Sequence, residues 1–317
     1  MVQSEDPVIK SISVIIPVNE RGEKLIDVLN DYQTSLSLID IIVEYIIVLT
    51  PQYAHLAANI KSSFLDSSTI KIIVLNRNYG EAGEIKIGVD NSQYDYILTL
   101  PPYKQFDSEN LSKIVGAIQD FDVIAVNRWP RIDPLLNRIQ SWLFRGIFKM
   151  LAYNAPKDPG SGIRLCRKEV FDEVKMYGDL HRFFPVLAEN AGFSVSTIDV
   201  PQSESDAYHR VYSLRIYLTR FLDILTVVFL TRFNKKPLRF FGSGGAISAV
   251  IGLMGLVYVA VERIFFDIAA GDRPLLILFS LFLVLGVQLI AIGLVGETII
   301  FTSAKNNKEY RIKKIIN

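Results

Sequence analysis

A single cysteine, Cys166, and three histidines, His55, His181 and His209, stand in a chain of 317 residues. One cysteine excludes an internal disulfide and any cysteine-only metal cluster. None of the histidines falls in a His-x-x-x-His pair, which argues against a zinc enzyme, and each reads as a structural or surface residue. Net charge is scarce too. Lys and Arg total 34 against 33 Asp and Glu, leaving +1, so no global field draws the chain to nucleic acid. No basic n-region, apolar core and small-residue cleavage site opens the sequence, and no signal peptide is expected. Charged residues make up 21% of the chain, too many for a polytopic membrane protein. Yet 50% of the residues are hydrophobic, so the apolar surplus must sit in a few long segments.

Two segments carry it. Residues 244–261 read GGAISAVIGLMGLVYVAV without a charge, and residues 275–295 read LLILFSLFLVLGVQLIAIGLV, with Gln288 the one strongly polar side chain. A helix needs roughly 20 mostly apolar residues to cross the hydrocarbon core, and both segments satisfy that. Arg232, Lys235, Lys236 and Arg239 precede the first; Lys305, Lys308, Arg311, Lys313 and Lys314 follow the second; the connection between them offers only Arg273. The positive-inside rule then expects both termini and the soluble domain in the cytoplasm, with the short loop outside. Gly286, Gly293 and Gly296 suit close approach of the two helices or of neighbouring subunits in a homo-oligomer. Just upstream, residues 212–233 read YSLRIYLTRFLDILTVVFLTRF, an apolar aromatic stretch with too many arginines to span. It reads either as an amphipathic helix lying in the membrane interface or as a helix packed on the soluble domain.

Before that point the chain alternates short apolar runs with polar, amphipathic stretches. Residues 11–18, 42–49, 71–76, 95–100 and 122–127 are rich in Ile and Val without clean alternation. Such runs fit strands buried on both faces, with helices between them, in a doubly wound, mostly parallel α/β sheet. The expected organisation is a soluble domain over residues 1–211, interfacial helices over 212–239 and a transmembrane hairpin with a basic tail over 240–317. Ligands of such sheets sit beyond the carboxyl ends of the strands. That directs attention to residues 17–20, 50–52, 76–80, 101–105 and 127–131.

The order of SVIIPVNE, NRNYG, a strand ending before PPYKQ, NRWPRIDPLLNRIQS, DPGSGIRLCRKEVFDEV, AGFSVSTIDVP, KPLRFFG and two spans resembles the family 2 polyisoprenyl-phosphate glycosyltransferases. The resemblance covers nearly the whole chain. It implies a GT-A fold and transfer of a sugar from a nucleotide-sugar onto a polyisoprenyl phosphate at the membrane. On the donor side it marks Pro17, Asn19, Glu20, Arg77, Asn78, Gly80 and Gln105. For the lipid phosphate it marks Arg128, Arg131, Arg138 and Ser141, guanidinium forks being matched to phosphate oxygens. Arg210 sits where relatives carry an arginine before a Gly-x-Ser-Lys run that is missing here. Asp158, in DPGSGIRL, matches an active-site aspartate and also suits a turn before Pro159 and Gly160.

The departures concern the donor. Relatives follow the second strand with an acidic pair for the base, and here Pro51 and Gln52 stand instead. Relatives follow the fourth strand with Asp-x-Asp-x-Gln, which binds Mg²⁺ or Mn²⁺. Here the run is Pro101, Pro102, Tyr103, Lys104 and Gln105, and only the glutamine survives. No metal ligand set is therefore assigned, and a diphosphate leaving group needs its charge neutralised in another way. Lys104 offers a fixed cation. Asp107 and Glu109 form a displaced Asp-x-Glu that also suits a helix N-terminus. Two functions follow: a membrane-anchored transferase with an altered, metal-independent donor site, or a catalytically silent relative that binds polyisoprenyl phosphate or scaffolds a partner.

Overall fold

The computed structural model describes residues 9–63, 69–130, 158, 160–174, 176, 178–206, 222, 223, 225, 226, 236–266 and 274–303. Contacts divide the chain into two units, residues 1–227 and 228–317.

In the first unit the Ile- and Val-rich runs form the strands expected of them, within a residue or two. They are β1 (Ser11–Val18), β2 (Ile42–Leu49), β3 (Ile70–Val74), β4 (Tyr96–Thr99) and β5 (Val123–Arg128), joined by β6 (Arg164–Arg167) and β7 (Val195–Val200). The sheet runs β3-β2-β1-β4-β6-β5-β7. All neighbours are parallel except β6, which runs against both β4 and β5. Helices α1 (Leu25–Ser37), α2 (Ala57–Ser63), α3 (Gly80–Asp90), α4 (Leu111–Gly116), α5 (Lys168–Glu173) and α6 (Phe184–Asn190) fill the connections.

Both faces of the sheet are covered, which is why its strands read as continuous apolar runs rather than alternating ones. On one face α1 buries Leu25, Val28, Leu29, Tyr32 and Leu36, one helical stripe, among Ile12, Val14, Ile16 and Ile47. On the other, Ile85 and Val89 of α3 join Ile15, Ile46, Val170 and Phe184. Gly88 permits that approach, because a Cβ there would lie 2.5 Å from Cγ2 of Ile15. The winding reverses between β1 and β4: β2 and β3 lie to one side of β1, and the chain returns to the other for β4. Beyond the carboxyl ends of such a pair is where an open α/β sheet takes its ligand.

The second unit is a pair of helices, α7 (Pro237–Phe266) and α8 (Pro274–Ser303). Each is long and apolar enough to cross a membrane, and in α8 only 6% of the most apolar stretch is buried. A helix greasy on every side and packed on one leaves large apolar faces that lipid satisfies and water does not. Small residues form the seam. Gly245, Ala249 and Gly252 of α7 meet Gly286 and the backbone around Phe279 and Leu283 of α8. Ser248 Oγ donates to the Phe282 carbonyl at 2.8 Å. Gly293 and Gly296 pack against Leu238 and Pro237, so the glycines read as close-approach points serve the hairpin itself. Of the expected interfacial helices at 212–239, all but Leu222, Asp223, Leu225, Thr226 and residues 236–239 lie outside the described residues; those first four are helical.

Candidate active site

Four loops converge beyond the carboxyl ends of β1, β4, β5 and β7, and an alternating chain of charges links them. β5 ends in Arg128, which is buried. Its Nε and Nη2 donate to Oδ2 and Oδ1 of Asp158 at 2.7 and 3.1 Å, a bidentate fork. Its Nη1 donates to Asp206 Oδ2 at 2.8 Å. The other oxygen of Asp206 accepts from Nη1 of Arg21, just past β1, at 3.2 Å, and Gln202 Nε2 donates to Asp206 Oδ2. Two guanidiniums and two carboxylates thus balance. Burial opposes the charge on Arg128, but Asp158 and then Asp206 more than offset it, and the proton is held more firmly than in water. Gly160 leaves room for the fork, since a Cβ there would stand 2.8 Å from Nη2 of Arg128.

This geometry revises one expectation. Arg128 and Asp158 read in sequence as separate groups, one for the lipid phosphate and one for the reacting sugar. They form a single buried ion pair, and the Arg128 guanidinium is turned to carboxylates rather than offered to a phosphate. Arg131, Arg138, Ser141 and Arg210 lie outside the described residues.

The turn after β4 is tied down on all sides. Tyr32 of α1 donates to the Pro101 carbonyl at 3.2 Å. Gln105 is buried; its Nε2 donates to the Tyr103 hydroxyl at 2.8 Å, and its Oε1 accepts from the Gly162 amide. Burial raises the Tyr103 hydroxyl pKa against the lowering effect of that Gln105 bond. The guanidinium of Arg21 lies over the Tyr103 ring, 3.7 Å from its centre. Lys104, in contrast, points to Asp31 and Asp107 at 3.7 and 3.8 Å. Asp107 precedes a short 3-10 turn, Ser108–Asn110, and its carbonyl accepts from Asn110.

Pro17 is a buried part of β1, while Asn19 and Glu20 follow at its carboxyl end. Arg77 stacks on Tyr79. Asn78 Oδ1 accepts from the Gly80 amide at 2.7 Å, and Gly80 opens α3 at φ +78°, where glycine pays no steric cost. The next residue, Glu81, leads to a charge cluster that the sequence did not disclose. His181 is buried, with Nε2 3.0 Å from Glu81 Oε2. Burial works against the Glu81 charge, but the His181 hydrogen bond, then the charges of His181, Arg164 and Arg182, hold its carboxyl below the ordinary range. Cys166 is buried, and burial pushes its thiol pKa far up, which removes it as a nucleophile.

Glu84, one turn along α3, is the exception. Its side chain is buried, and neither carboxylate oxygen meets a hydrogen-bond partner among the described residues. Burial, and then the neighbouring Glu81, lift its pKa from 4.5 to about 7. The folded state therefore holds a proton that the unfolded chain releases between those values, and stability falls as pH rises through that window. Replacing Glu84 with glutamine removes the slope. Relative to the parent chain, Glu84→Gln gains on the order of 3 kcal/mol on going from pH 4.5 to pH 8. Thermal unfolding at the two pH values checks this, and an equal shift at both would sink it.

A divalent ion in the family's position does not suit these residues. Pro101 and Pro102 have no side-chain ligand atom, Tyr103 keeps its phenolic proton, and Asp158 and Asp206 are engaged by guanidiniums. Among the described residues, no three His, Cys, Asp or Glu side chains come together as a ligand set.

No protein-family model matches the sequence. Among curated proteins, an undecaprenyl-phosphate 4-deoxy-4-formamido-L-arabinose transferase of Proteus mirabilis is 25% identical over 313 residues, covering 97% of this chain and 94% of its own. A dodecaprenyl-phosphate galacturonate synthase of Rhizobium johnstonii is 25% identical over 255 residues, 78% and 75% of the two chains. Among solved structures, glucosyl-3-phosphoglycerate synthase of Mycobacterium tuberculosis, in complex with Mg²⁺ and UDP, has a TM-score of 0.53 at 10% identity, over 70% of this chain and 79% of that one. The chain is thus similar through both units to the undecaprenyl-phosphate sugar transferases, and its sheet unit has the GT-A fold of the solved structures.

Proposed function

We propose that the protein is a membrane-anchored glycosyltransferase that moves a sugar from a nucleoside-diphosphate donor onto a polyisoprenyl phosphate. The observation that carries this is the reach of the similarity. It spans 97% of the chain, the sheet and the apolar hairpin together, so the relatives share the lipid-facing part as well as the catalytic fold. The silent-relative reading is not favoured, because the curated relatives of matching length are named as transferases.

In this reading the donor lies over the β1–β4 switch point, its base toward Asn19, Glu20 and the loop of Arg77, Asn78 and Gly80. The Arg128–Asp158 pair forms the fixed floor beside Tyr103 and Gln105. Arg131, Arg138, Ser141 and Arg210 receive the lipid phosphate. That phosphate is largely ionised near neutral pH, its second pKa being about 6, so it needs orientation more than a strong base. Its oxygen bonds to the anomeric carbon as the bond from that carbon to the β-phosphate oxygen breaks, and the electron pair leaves with the nucleoside diphosphate. The basic flanks of α7 and α8 favour a cytoplasmic sheet unit and cytoplasmic termini; the small-residue seam is also compatible with a homo-oligomer.

The test is direct. The protein in detergent, given undecaprenyl phosphate and a panel of radiolabelled UDP-, GDP- and CDP-sugars, should transfer label from at least one donor into the lipid fraction. Label that stays aqueous for every donor, with nucleotide still bound, would return the silent relative.

A further inference from the structure

The β1–β4 switch point has a feature that the donor reading leaves unused. Arg21 is the only non-glycine residue at positive φ among the described residues, at φ 55° and ψ 33°. Such a backbone is strained for an arginine. Two contacts fix its side chain. The guanidinium carbon lies over the Tyr103 ring, 3.7 Å from its centre, and one N–H is given to Asp206 at 3.2 Å. The side chain is 42% exposed, so it retains solvent-facing donors. Arg21 follows β1 and Tyr103 follows β4, neighbours across the reversal, with Leu100 of the β4 end donating to Ile15 of β1.

Three facts then coincide. The position where relatives hold a divalent cation has no ligand set. A cation–π stack stands on the residue that replaced one of the ligands. The arginine making that stack sits in the left-handed region, at the start of the 3-10 turn Gly22–Lys24. We infer that Arg21, clamped over Tyr103, is the cation that receives the diphosphate of the donor, in place of a divalent metal. Its guanidinium neutralises the nucleoside diphosphate as the anomeric C–O bond breaks, with no proton consumed and no ion bound. Lys104, turned to Asp31 and Asp107, does not fill this role. The inference rests on the donor reading above and adds to it the group that replaces the metal.

Calorimetric titration of the full chain in detergent separates the two. UDP, GDP and CDP are each titrated in EDTA and again with Mn²⁺, against the parent chain, Arg21→Gln and Arg21→Lys. Uridine, guanosine and cytidine serve as phosphate-free probes. The expected result is a diphosphate that binds the parent chain equally in EDTA and Mn²⁺. Arg21→Gln should weaken it about 30-fold, as loss of charge-assisted hydrogen bonds implies, while leaving the nucleoside's own affinity unchanged. Arg21→Lys should fall between. Both variants alter a half-exposed side chain and leave Asp206 paired with Arg128, so both should remain folded at the titration temperature. Tightening by Mn²⁺ of about tenfold or more, or undiminished diphosphate binding by Arg21→Gln, overturns the inference while leaving the transferase reading standing. Absence of diphosphate binding under every condition overturns the donor reading, and this inference with it.

Discussion

Replacing Asp158 with asparagine is expected to lower the stability of the sheet unit by about 3 kcal/mol, a fall of about 10 °C in its unfolding temperature. The substitution keeps the shape of the side chain and removes its charge. Arg128 then keeps one carboxylate, Asp206, where it had two, while remaining 7% exposed. Losing one partner of a buried pair costs more than the pair contributes, because the remaining charge has already given up its water. An asparagine amide turned toward Nε or Nη2 would also set donor against donor. Trp129, next in sequence and half exposed, is a fluorescent reporter at the site. Arg21→Gln is the internal contrast: its guanidinium is half exposed and Asp206 keeps Arg128, so its loss should be the smaller one. Should Asp158→Asn unfold within about 2 °C of the parent, the Arg128 network would not be the buried unit described.

Much of the frame was legible because burial on both sides of a sheet leaves a one-dimensional trace. The five Ile- and Val-rich runs became β1 to β5, with ends moved by a residue or two. The apolar segments became α7 and α8, extended by flanking residues that pattern alone would not assign, such as Pro237–Ser243. β6 left a weaker trace. Its four residues, RLCR, combine two arginines with a leucine and a cysteine, and it is a strand because β4 and β5 pair with it from either side. The site was legible by loop but not by partner. Arg21, Arg128, Asp158 and Asp206 are spread over 185 positions, and no local spacing says that Asp206 bridges two arginines. Lys104 drew attention because it lies inside the altered motif, whereas Arg21 reaches Tyr103 only after β1 and β4 pair. His181 likewise reads as isolated until α3 brings Glu81 to it.

A leucine at Gly252 is expected to part the hairpin. Between lipid-immersed helices there is little hydrophobic drive, because the acyl chains are as apolar as leucine, and association depends on close packing. Gly252 supplies that closeness. A Cβ there would lie 2.5 Å from the Leu283 nitrogen and 2.7 Å from the Phe279 carbonyl oxygen. Both are backbone atoms of α8, so no rotamer change makes room and the helices must move apart. They would give up the Ser248–Phe282 hydrogen bond and the Gly245–Gly286 contact with them. Overpacking of this kind costs about 3 kcal/mol or more. Gly244 is the control, for a Cβ there meets nothing within 4 Å. Oxidative cross-linking of a Ser248→Cys, Phe282→Cys pair in membranes gives the readout. Gly252→Leu should cut the yield about tenfold or more, and Gly244→Leu should leave it unchanged. Equal yields in the two variants would mean that α7 and α8 do not meet along this seam, and the small residues would then need another partner.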